Sequence, residues 1–120
     1  MTLPYLLVAR SRWASSPAYH SRDQLVAGDV RRETPYWDYF TEAGMPRWQE
    51  RLAAIRDELR TGGRTLVQGA LAYIWGRSNR AIALGGIRTP EQAKEQADAL
   101  AHGPLRPAQV AHIDELLAAA

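Results

Sequence analysis

Gly85-Gly86-Ile87-Arg88-Thr89 gathers residue types suited to holding a negative charge. Thr89-Pro90-Glu91-Gln92 has the layout of a helix start, with a hydroxyl cap, proline at the first helical position and glutamine at the third, which completes a capping box. The first N–H groups of a helix have no intrahelical acceptor and lie at the positive end of its dipole, so they favour an anion. Arg88 adds a planar cation whose forked donors suit phosphate oxygens. The chemistry expected is phosphate recognition, and the structural alternative is an ordinary capped helix with a solvent-facing arginine.

Other reactive groups are sparse. The chain has no cysteine, which excludes disulfides, thiolate catalysis and cysteine metal sites. His20, His102 and His112 lie far apart and have no ligand spacing to neighbouring carboxylates, so no metal site is expected. Tyr5, Tyr19, Tyr36, Tyr39 and Tyr73 are possible proton donors, and Lys94 is the one lysine. Trp13, His20, Tyr36, Trp37 and Tyr39, with Asp29 or Asp38 as acid or base, are the groups that could line a small-molecule pocket. The aromatic cluster Tyr36, Trp37, Tyr39 and Phe40 would equally serve to cover a core.

The chain has 120 residues, 46% hydrophobic and 23% charged, which fits one globular domain. Its net charge is +2 and the arginines are scattered rather than clustered, so nucleic acid is not an expected partner. The apolar run near the N-terminus is too short for a membrane span and is not preceded by a basic region. A cytoplasmic protein without membrane contact is the expectation.

Several elements must position these groups. Leu3–Arg10 and Ala81–Gly85 are short and apolar and are expected as buried strands. Ser11–Pro35 reads as irregular, with a short helix near Asp23–Ala27. Arg47–Arg60 is an amphipathic helix with Trp48, Leu52, Ile55 and Leu59 on one face, ended by Gly62-Gly63. Thr65–Arg77 opens with the capping pair Thr65 and Gln68 and carries a broad apolar face of Leu66, Val67, Ala70, Leu71, Ile74 and Trp75. A third helix follows Thr89, turns Ala93, Ala97 and Leu100 inward, and stops at Gly103-Pro104. Pro107–Ala118 is the last helix, with Val110, Ile113 and Leu117 inward. The expected domain divides into 1–46, a strand and a long loop, and 47–120, helix–helix–strand–helix–helix. Strand–helix alternation implies a helix-rich α/β fold with about two strands and four helices. So small a sheet needs its edges covered by its own helices or by another chain.

The run TLVQGALAYIWGRSNRAIALGGI, then RTPEQAKEQADAL and GPLRPAQVAHIDELL, resembles the carboxy-terminal quarter of the aldo-keto reductases. Gly28-Asp29-Val30-Arg31-Arg32 resembles a segment that these enzymes carry further upstream. The resemblance covers roughly residues 22 to 117 and implies a partial (β/α)₈ barrel, since a complete barrel needs about 250 residues. In that family this segment binds the adenosine 2′-phosphate of NADPH. The resemblance places Gly86, Ile87 and Arg88 at the phosphate, Gln92 beside it, and Glu95 and Gln96 facing the adenine.

The sequence departs from the family in three respects. Gln96 stands where the family usually has asparagine, and Gly85 where it has proline. ARSRWASSPAY does not match the glycine-rich loop that holds the pyrophosphate. The strands that carry the family's catalytic Asp, Tyr, Lys and His have no counterpart, and Lys94 cannot be matched to the catalytic lysine. The resemblance therefore implies an aldo-keto reductase-like protein that keeps an NADP(H) segment without being a self-sufficient carbonyl reductase. It implies a dimer, or a second chain that supplies the missing barrel strands. A repurposed non-redox enzyme of cyclase or isomerase type, binding a small molecule, and an oligomeric interaction module are the alternatives.

Overall fold

The computed structural model describes residues 26–28 and 44–119. Four α-helices follow one another: α1 (Gly44–Leu59), α2 (Leu66–Arg77), α3 (Pro90–His102) and α4 (Pro107–Ala119). One 3₁₀ turn, Thr61–Gly63, joins α1 to α2. Gly62 and Gly63 have φ of 71° and 80°, the left-handed backbone that reverses the chain and that residues with a Cβ avoid.

α2 is the central element. Seven consecutive residues, Val67 to Tyr73, are buried, so it is enclosed on nearly all sides, as a helix with so wide an apolar surface must be. It packs against α1, α3 and α4, and α1 also packs against α4. The core joins Leu52, Ile55 and Leu59 of α1 to Ala70 and Leu71 of α2, Ala99 of α3, Leu105, and Ile113 of α4. Gly69 of α2 is seated on the end of α1. A methyl at this position would lie 2.7 Å from the carbonyl carbon and 2.8 Å from the Cβ of Leu59.

Side-chain amides tie the helices together. Gln68 accepts from the Thr65 N–H at 3.0 Å while the Thr65 hydroxyl accepts from the Gln68 N–H at 3.2 Å, a complete capping box. The Nε2 of Gln68 then donates to the Glu95 carbonyl on α3 at 2.9 Å. Gln109 repeats the device on α4: its Oε1 accepts from the Arg106 N–H at 3.0 Å and its Nε2 donates to Thr61 Oγ1 at 2.9 Å. Arg64, just before α2, donates to the His102 carbonyl at the end of α3 at 3.0 Å. Gln68 and Arg64 together show that α2 and α3 run antiparallel.

The expected α/β fold, a partial barrel with two strands, is overturned: among the described residues there are four helices and no strand. Ala81–Gly85 is irregular. Being apolar is not enough to make a strand. Backbone N–H and C=O groups also need a neighbouring strand, and the amides of residues 82–85 have no acceptor among the described residues. Its large side chains are not buried either, with Ile82 at 88% and Leu84 at 86% exposure. The other expected strand, Leu3–Arg10, falls outside the described residues; of the short helix expected near Asp23–Ala27 only Val26 and Ala27 are described, and neither is helical.

The helix expectations hold with two adjustments. α1 begins at Gly44 rather than Arg47, with Pro46 tolerated in the first turn. α3 buries Ala99 at 0% exposure and leaves Leu100 at 72%, so Leu100 does not face the core. Ala97 is exposed as well. Among the described residues, no helix is long and apolar enough to cross a membrane.

Candidate functional site

The turn before α3 is shaped by the cap residue of that helix and two of its side chains. Thr89 has extended backbone (φ −131°, ψ 154°), and its hydroxyl accepts from the Gln92 N–H at 3.2 Å. The Gln92 carboxamide does not close the box on Thr89. Its Oε1 accepts from the Arg88 N–H at 2.7 Å, one residue further back. Gln96, one helical turn after Gln92 on the same face, donates from Nε2 to the Gly86 carbonyl at 2.9 Å. The turn is therefore fastened to α3 at both Gly86 and Arg88.

The six residues expected at the nucleotide divide into two groups. Gly86, Ile87 and Arg88 lie together and are exposed. A methyl on Gly86 would meet nothing within 4 Å, so the backbone there is open to approach. Gln92, Glu95 and Gln96 are half-buried. Gln92 and Gln96 hold the turn, and the Glu95 carbonyl accepts from Gln68 on the side of α3 that meets α2. The amides of Gly86, Ile87 and Thr89 have no acceptor among the described residues, whereas the Arg88 amide is taken by Gln92. Lys94 points elsewhere and is ion-paired with Asp98, four residues on.

A second polar cluster lies at the far end of α2. The Tyr73 hydroxyl donates to Asp114 Oδ1, and Arg77 Nη1 donates to the Tyr73 oxygen at 2.8 Å and to Asp114 Oδ2 at 2.8 Å. The Arg77 guanidinium also sits 5.6 Å from the centre of the Tyr73 ring, within cation–π range. Burial, followed by the hydrogen bond to Asp114, raises the phenol pKa above its ordinary 10.0. Such a tyrosine stays protonated and is a poor proton donor, so the cluster serves as a strap between α2 and α4. The Tyr73–Arg77 spacing of four on one helix was legible in the sequence. Asp114, 41 residues beyond Tyr73, had no local signal.

Trp13, His20, Asp29, Tyr36, Trp37, Asp38 and Tyr39, the groups considered for a small-molecule pocket, lie outside the described residues. Compared with family models, curated proteins and solved structures, the chain gives no significant match.

Proposed function

We propose that the turn 85–89 and the start of α3 bind the phosphate-bearing adenosine end of NADP(H), in an aldo-keto reductase-like protein whose 120 residues do not by themselves reduce carbonyls. The supporting observation is the exposed Arg88 beside an open Gly86 backbone, on a helix start fixed by Thr89 and Gln92. Arg88 contributes its guanidinium, since its amide is engaged. The amides of Gly86, Ile87 and Thr89 supply neutral donors. A 2′-phosphate brings the charge and the multiple acceptor oxygens that such a set matches.

The test is calorimetric titration of the full chain with 2′,5′-ADP, with 5′-AMP as the ligand lacking the 2′-phosphate. The 2′,5′-ADP should bind about tenfold more tightly or better, because a hydrogen bond to a charged group contributes roughly 1.5–3 kcal/mol. Arg88→Ala should narrow the difference severalfold, leaving only what the amides contribute. Equal affinities in the unaltered chain, or no heat with millimolar 2′,5′-ADP, would refute the proposal.

A further inference from the structure

Residues 80–88 carry a second pattern, which shares Arg88 and the Gly86 and Ile87 amides with the proposed nucleotide turn and extends beyond it. Arg80, Ile82, Leu84 and Gly86 are exposed, while Ala81, Ala83 and Gly85 between them are half-buried, with Ala83 against the core; Ile87 and Arg88, which follow, are both exposed. Alternation of this kind marks a segment with small residues inward and large ones outward. The outer face has two aliphatic side chains, Ile82 at 88% and Leu84 at 86% exposure, and an arginine at each end. The backbone along the same stretch is open: the amides of residues 82–87 have no acceptor among the described residues.

We infer that this edge docks an extended segment of a partner protein, apolar at its centre and acidic at both ends, by strand addition. Main-chain donors of this edge supply the pairing, Ile82 and Leu84 the apolar contact, and Arg80 and Arg88 the charge complementarity. A second copy of this chain fits the edge less well. It would place its own Arg80 and Arg88 along the same strand pair, bringing four cations together where an acid-ended partner brings two opposite charges. The inference goes beyond the nucleotide proposal, because Arg80, Ile82 and Leu84 lie outside the turn 85–89.

The test is fluorescence anisotropy of the full chain, without nucleotide, with labelled Glu-Thr-Val-Thr-Val-Thr-Val-Thr-Glu, whose glutamates and valines share one face, and its lysine-ended counterpart. The acid-ended peptide should bind about tenfold more tightly, a difference that shrinks in high salt. Arg80→Glu, which leaves Arg88 in place, should bring the two peptides level, and Leu84→Asp should abolish binding while circular dichroism shows the helices intact. The inference is overturned if neither peptide binds or if the two bind equally. It is also overturned if the chain takes up phosphatidylglycerol vesicles but no peptide, or if sedimentation shows a dimer lost in Leu84→Asp while the peptide does not bind. Failure of 2′,5′-ADP to bind would leave this result unchanged.

Discussion

Gly69→Ala is the sharpest test of how the helices are assembled. In an isolated helix the change would stabilise by about 1 kcal/mol, because alanine is the better helix former. Here the new methyl would lie 2.7 Å from the Leu59 carbonyl carbon and 2.8 Å from its Cβ, and closer still to its carbonyl oxygen. Those are backbone or near-backbone atoms at the end of α1, so no rotamer change relieves the contact. Leu59 is 0% exposed and anchored in the core, so α1 and α2 must move apart as bodies. Overpacking of this kind costs about 3 kcal/mol, near the top of its usual range, which leaves a net loss of about 2 kcal/mol. For a domain of this size that is roughly a 10 °C fall in Tm. Urea unfolding followed by tryptophan fluorescence suits the measurement, since Trp48 on α1 and Trp75 on α2 are both half-buried. Gly86→Ala is the control: nothing lies within 4 Å of its methyl, and its stability should match the parent within about 0.5 kcal/mol. A Gly69→Ala chain as stable as the parent would show that α1 and α2 do not meet in this way.

Two further outcomes follow from the polar ties. Tyr73 has a folded-state pKa above its ordinary value because burial disfavours the phenolate. Its contribution is therefore complete below about pH 10 and is lost as the pH rises through the folded value, so urea midpoints should fall on the alkaline side and fall less in Tyr73→Phe. Gln68→Ala removes both the cap on Thr65 and the bond to Glu95 from a side chain that is 6% exposed. It should destabilise by about 2 kcal/mol by thermal or urea unfolding, whereas the more exposed Gln92→Ala should cost less than half of that.

The helical part of the fold was legible because its signals are local. Thr65 and Gln68 are three residues apart, Leu52, Ile55 and Leu59 repeat at helical spacing, and Gly62-Gly63 and Gly103 stop helices at the chain's own turns. Arg106-Pro107-Ala108-Gln109 has the same proline and third-position glutamine as Thr89-Pro90-Glu91-Gln92. The missing hydroxyl hid it, although Gln109 reaches back in the same way. The inner face of α3 is ambiguous in the sequence because the helix has few apolar residues, and Ala97, Ala99 and Leu100 fit more than one stripe. Ala81–Gly85 is ambiguous because a short apolar run bounded by glycine has no period to separate strand from irregular chain. The deciding quantity is a hydrogen-bonding neighbour, and that is a property of distant sequence. The Tyr73–Asp114 strap was invisible for the same reason.

The absence of a strand among the described residues changes what positions the candidate site. In a parallel α/β protein, the strand end fixes the turn that precedes a phosphate-binding helix. Here α3 holds the turn itself, through Gln92 on the Arg88 amide and Gln96 on the Gly86 carbonyl. The same device couples residue 85 to residue 96. A Cβ at residue 85 would lie 2.7 Å from Cδ and 3.0 Å from Nε2 of Gln96. The longer amide at 96 can thus reach Gly86 only because residue 85 has no side chain. A proline at 85 would displace that amide and release the turn, and an asparagine at 96, one methylene shorter, would reach less far along the same line. Gly85 and Gln96 are best understood as one paired solution, in which side-chain amides do the positioning that a sheet does elsewhere.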